Sequence, residues 1–92
     1  MLTLPIKKKW FDMIVSGEKL EEYRTLNAYY LSRFKDFPHD KDIMLRNGYS
    51  SASPSCIINV QICVGVGVPE WGGNPDMLQF ILVINSIRDI KL

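Results

Sequence analysis

Alternation of apolar and polar positions is the dominant signal in this chain. In CIINVQICVGVGV, residues 56–68, Ile58, Val60, Ile62, Val64, Val66 and Val68 fall on one side of an extended backbone. Asn59, Gln61, Cys63, Gly65 and Gly67 fall on the other. The pattern predicts a strand with one buried face. LQFILVINSI, 78–87, is apolar on both sides, as expected of an enclosed strand. Residues 87–92 read as a last strand or a tail. LTLPI, 2–6, alternates as a short first strand. Pro5 has no N–H for a ladder, which places it at a sheet edge or a strand end. Residues 19–25 and 42–46 are also strand-like.

The period changes in KKKWFDMIVSG. Trp10, Met13 and Ile14 recur at helical spacing beside Phe11 and Val15, Lys8 and Asp12 lie one turn apart, and Gly17 falls where a left-handed C-cap belongs. A helix is expected over 7–16, with Trp10, Phe11, Met13 and Ile14 in the core. A second helix fits 27–34, capped by Asn27, with Leu26, Tyr30 and Phe34 on one face. FPHDKD, NGYSSASPS and PEWGGNP read as loops. Five or six strands with two short helices, not alternating regularly, predict a β-rich α+β domain. Its small sheet curls toward a barrel.

Ninety-two residues predict one domain spanning 1–92. A chain of this length buries roughly 60–65% of its unfolded surface, enough for a single core. The net charge of +1 argues against tight nonspecific binding to duplex nucleic acid. Charge is uneven, however. Residues 1–49 hold nine Lys/Arg and seven Asp/Glu, and the remainder two and three, so an anion-binding face is expected in the N-terminal half. Cys56 and Cys63 have opposite strand parity and cannot bridge within that strand, so free thiols and a reducing, cytosolic setting are expected. No apolar run reaches membrane length. With His39 as the lone histidine, no metal site and no cofactor are expected.

SGEKLEEYR, 16–24, packs charges of both signs into a helix-to-strand passage. Along a strand, Leu20, Glu22 and Arg24 share one face and Lys19, Glu21 and Tyr23 the other. Glu22 can thus hold Arg24 while the guanidinium keeps donors for a ligand. Lys19 has the wrong parity and joins them only from the turn before the pleat begins. Arg46 and Asn47 suit base edges, and Tyr49 or Trp71 suit stacking. Asn47-Gly48 is equally a turn pair, and Trp71 equally a lock on the barrel end. Ser53 can donate to phosphate if its loop folds over the site. Lys7, Lys8 and Lys9 read as a solvated helix start. Gly65 and Gly67, opposite the valine stripe, mark a close approach of a ligand or of Trp10 or Trp71.

Gly17, Lys19, Glu22 and Arg24 spell G-x-K-x-x-E-x-R. With LPIKKKWFDMI before it, then LRNGYS at 45–50 and GVGVPEWGGNP at 65–75, this resembles the ASCH domain, a relative of the PUA RNA-binding fold. The resemblance covers nearly the whole chain. It implies a PUA-like β-barrel and a cleft lined by the motif that binds RNA or a modified nucleotide. The implied ligand-binding set is Gly17, Lys19, Glu22, Arg24, Arg46, Asn47, Tyr49, Ser53 and Trp71. One bacterial group of ASCH proteins hydrolyses the amide of an acetylated cytidine through K-x-x-T. Here Glu22 stands at the Thr position. Glu22 keeps Lys19 charged, which suits an anion clamp better than a base. Binding is therefore the expected function. A small hydrolase using Lys19, Glu22 or Glu70 is the first alternative, and a protein-interaction domain the second.

Overall fold

A computed structural model describes residues 1–35 and 40–92. Residues 37–39 of the expected loop, His39 among them, lie outside the described residues. Five strands form one mixed sheet: β1 (Leu2–Pro5), β2 (Glu21–Thr25), β3 (Lys41–Arg46), β4 (Ser55–Gly65) and β5 (Gln79–Lys91). Their order is β1-β3-β4-β5-β2, with β1 parallel to β3 and every other pair antiparallel. Helix α1 (Lys8–Val15) links β1 to β2, and α2 (Ala28–Arg33) links β2 to β3. The sheet curls into a half-barrel whose free edges are β1 and β2.

The curl stops short of the expected closed barrel for a local reason. β1 is four residues long and ends in Pro5, which has no N–H to offer a ladder to β2. No separate sixth strand forms among the described residues, because 87–91 continues β5 against the start of β4. Two register shifts accompany that continuation, and Asp89 takes a left-handed φ of 51° near one of them. Such bulges bend a strand and help a long one follow the curl.

Both helices form where the residue pattern places them. Gly17, at φ 85°, ends the exit from α1, and the Asn27 side chain accepts the Tyr30 N–H at 2.9 Å. Lys8 pairs with Asp12 at 2.6 Å. Phe11 and Ile14 from α1 enter the core with Leu4, Ile43, Leu45, Ile58, Val60, Ile62, Phe80 and Leu82. Phe34, just past α2, meets Phe80 edge-on at 5.2 Å. Trp10 packs against this core but is only half-buried, as is Met13, short of the core reading of both, and Leu26 is exposed despite its expected place on the face of Tyr30 and Phe34. The stripe on β4 is buried only through Ile62. Val64 and Val66 are exposed, because the strand ends at Gly65 and its cover runs out.

Both thiols are free, as their parity requires, with Cys56 buried and Cys63 exposed. Burial pushes the Cys56 thiol from 9.0 up to about 11. The unfolded thiol therefore ionises first. The associated stability is present below pH 9 and lost between pH 9 and about 11. This window amounts to about 3 kcal/mol at ~1.4 kcal/mol per pH unit. Chemical denaturation across it should show wild type falling more steeply than Cys56→Ala, and parallel slopes would refute the assignment.

Candidate functional site

The site is built where α1 hands over to β2. Beyond Gly17 the Lys19 N–H bonds the Met13 carbonyl at 2.9 Å, one of the orphan acceptors of the helix end. β2 begins only at Glu21, so Lys19 sits ahead of the pleat and escapes its parity. Its ammonium lies 3.2 Å from Glu22 Oε1, on the same side as Arg24. Leu20 is also outside the pleat, and is exposed instead of sharing the Glu22 face.

Glu22 is the hub. Its Oε1 faces Lys19, and its Oε2 accepts from Arg24 Nη2 at 2.6 Å. The same Nη2 donates to the Pro5 carbonyl at 2.8 Å, and Nη1 donates to the Tyr30 hydroxyl at 3.2 Å. Arg24 belongs to β2 and Pro5 to β1, so the guanidinium spans the open seam of the half-barrel. Burial alone would lower the Arg24 pKa. The Glu22 charge and the Tyr30 hydrogen bond outweigh it and hold the guanidinium above its ordinary value.

Lys19 is enclosed, at 1% exposure. Its ammonium donates to the Trp71 carbonyl and lies 5.1 Å from the Trp10 ring centroid and 4.8 Å from that of Tyr23. Burial pushes its pKa below the ordinary lysine value, and Glu22 restrains the fall. The Trp71 carbonyl reaches Lys19 because the chain folds tightly over 68–73. A 3₁₀ turn spans Pro69–Trp71, and Gly73 N–H returns to the Val68 carbonyl at 2.9 Å. A Cβ on Gly73 would stand 2.3 Å from the Gly67 carbonyl carbon, and one on Gly67 would stand 3.0 Å from the Tyr23 ring. The close approach expected at Gly67 is therefore to Gly73 and Tyr23. Trp10 packs instead on Gly72, which sits at φ 93°. Tyr23 donates to Glu21 at 2.7 Å and accepts the Val68 N–H at 2.9 Å, locking the turn onto β2.

In front of this assembly opens a cleft of about 590 Å³. That volume lies within the ~300–1,000 Å³ range of small-molecule sites. Trp10, Tyr23, Tyr30, Tyr49 and Trp71 supply aromatic surface, while Lys7, Glu22, Arg24, Asn47 and Gln79 supply polar groups. Asn47 is fixed by donating to the Ile6 carbonyl at 2.9 Å.

Five of the expected site residues thus meet at one cavity: Glu22, Arg24, Asn47, Tyr49 and Trp71. Lys19 stands behind its wall, with its donors directed to Glu22 and Trp71, and so supports the site without lining it. Gly17 shapes the helix exit and likewise does not line the cleft. Glu70 is exposed on the 3₁₀ turn outside the lining. Ser53 is turned into its own loop, where its hydroxyl accepts the Ser50 N–H at 3.2 Å. Arg46 lies in an adjoining depression. Residue pattern alone missed Lys7, Trp10, Tyr30 and Gln79. Lys7 read as solvated and Trp10 as core, and the Tyr30 hydroxyl was hidden by its place on an apolar helical face. Comparison with protein-family models, with curated proteins and with solved structures returns no match.

Two substitutions test the assembly. Glu22→Gln leaves two cations facing a neutral amide, and should cost roughly 3–5 kcal/mol in urea denaturation. A loss below about 1 kcal/mol would mean that the pairing carries little. Gly73→Ala drives a methyl into backbone, and should cost at least about 2 kcal/mol. Unchanged stability would show that the 67/73 contact is not close.

Proposed function

We propose that this domain binds a nucleotide, or one nucleotide of an RNA strand, with the base held in the cleft at the β1–β2 seam. One observation carries the reading: several aromatic side chains line a single cavity of about 590 Å³ whose floor is a fixed carboxylate–guanidinium pair. Aromatic faces accept any base by stacking. The polar groups between them, Glu22, Asn47 and Gln79, suit the edge of a base. The G-x-K-x-x-E-x-R resemblance to ASCH domains supports the same reading, and under it the half-barrel is a PUA-like variant. The free thiols support a reducing, cytosolic setting.

The enclosure of Lys19 favours binding over catalysis. A base must reach the proton it removes. This ammonium is sealed by Trp71, Glu22 and two rings. Its charge instead balances Glu22, which in turn orients Arg24.

The four ribonucleosides and their 5′-monophosphates provide the test. Binding should quench tryptophan fluorescence and shift the amides of residues 22–24, 47–49 and 71–72. Tyr49 is 96% exposed, so Tyr49→Ala should fold normally. It should weaken binding roughly tenfold through lost stacking. Shifts confined to Lys8 and Lys9, or none at all, would overturn the reading.

A further inference from the structure

The cations around the cleft divide into two kinds. Lys19 and Arg24 are committed to Glu22 and to backbone carbonyls. Arg46, the last residue of β3, is not. Among the described residues it has no carboxylate partner. Its Nη2 finds only the weak acceptor Met44 Sδ at 3.5 Å. The Nε of Arg24 and that of Arg46 are both buried without a partner, but Arg24 has Glu22 and the Pro5 carbonyl on its other nitrogens and Arg46 has no such group. Guanidinium groups with so little satisfied are costly to keep in a folded protein. The junction with β1 uses its backbone carbonyl, which accepts the Ile6 N–H at 3.0 Å.

Its surroundings indicate a use. Arg46 lines a depression of about 270 Å³ with Thr3, Pro5, Gly48 and Tyr49. Pro5, Gly48 and Tyr49 also line the main cleft, so the two hollows are compartments of one groove that share a wall. The smaller compartment falls just below the ~300 Å³ at which typical ligand pockets begin. It suits a phosphate and part of a sugar better than a second stacked base. Together the two compartments present Lys7, Arg24 and Arg46 against a single carboxylate, Glu22.

We infer that the ligand is a strand, not a free nucleoside: the base occupies the aromatic cleft, the backbone crosses Tyr49, and Arg46 clamps the adjoining phosphodiester. This rests on the base-binding reading above and adds the requirement for a linked phosphate. Arg46 suits the task because its planar fork can meet two phosphate oxygens at once.

The test compares each ribonucleoside with its dinucleoside monophosphate (ApA, CpC, GpG, UpU), with deoxy counterparts to separate RNA from DNA. Wild type should bind the best dinucleoside roughly tenfold more tightly than the matching nucleoside, a gain typical of one charge-assisted clamp. In Arg46→Met that ratio should fall toward one. The slope of log affinity against log salt for the dinucleoside should shrink by about 0.7. The thermal midpoint of Arg46→Met should equal or exceed that of wild type, because only the weak contact to Met44 Sδ is lost; a residue with a structural role would lower it. If nucleosides bind and the phosphodiester adds nothing, or if Arg46→Met weakens both ligands equally or destabilises the fold, the clamp is wrong while the base site stands. If neither ligand binds, both are wrong.

Discussion

One carboxylate holds the two ends of this sheet in place. Glu22 divides its oxygens between Lys19 and Arg24, and each cation passes the connection on. Lys19 ties it to the carbonyl of Trp71, and Arg24 ties it to the carbonyl of Pro5 across the seam. Strand pairing does not make that last link: β1 and β2 are the unpaired edges, Pro5 has only its carbonyl to offer, and Arg24 takes it. Taking three charges out of water costs several kcal/mol per ion unless they satisfy one another. Backbone carbonyls and aromatic faces complete the arrangement, so the cost is met by groups that also define the cavity. The wall of the cleft and the clasp of the half-barrel are therefore the same atoms.

Much of the remaining geometry serves that arrangement. Gly17 turns the chain out of α1 in time to leave Lys19 ahead of the pleat. Gly67 and Gly73 let two backbone segments approach closely enough to bring the Trp71 carbonyl over the ammonium. Gly72 gives Trp10 a flat seat beside it. The tight turn fixes the position of Trp71 at the cleft, where a loop free to move would not.

A motif rich in charge need not direct all of it at a ligand. Lys19 and Arg24 look from their residue types like the anion-binding pair, yet the Lys19 ammonium and both terminal nitrogens of Arg24 are bonded to the protein itself. Of the described cations that line the two hollows, Lys7 and Arg46 have no carboxylate partner, and both stand outside the motif. Preorganisation and recognition are thus divided between different residues, and the floor of the site is already rigid before anything enters it.

The sequence by itself determined the elements and their polarity. Helical spacing placed α1 and α2, alternation placed β4, and the absent N–H of Pro5 limited it to a sheet edge or a strand end. The parity of 20–24 foresaw that Glu22 and Arg24 would be neighbours and that Lys19 could join them only from the turn. These are local properties, set by backbone periods and by one or two residues. Only the tertiary structure decided what depends on contacts between distant segments: that the barrel stays half-open, that Val64 and Val66 lose their cover, and that Trp10 packs against the core with one side while lining the cleft with the other. It also decided that Lys19 is sealed while Arg46, among the described residues, is left without a carboxylate partner. Burial and partnership depend on which surfaces the curl of the sheet brings together, and no period along the chain encodes that.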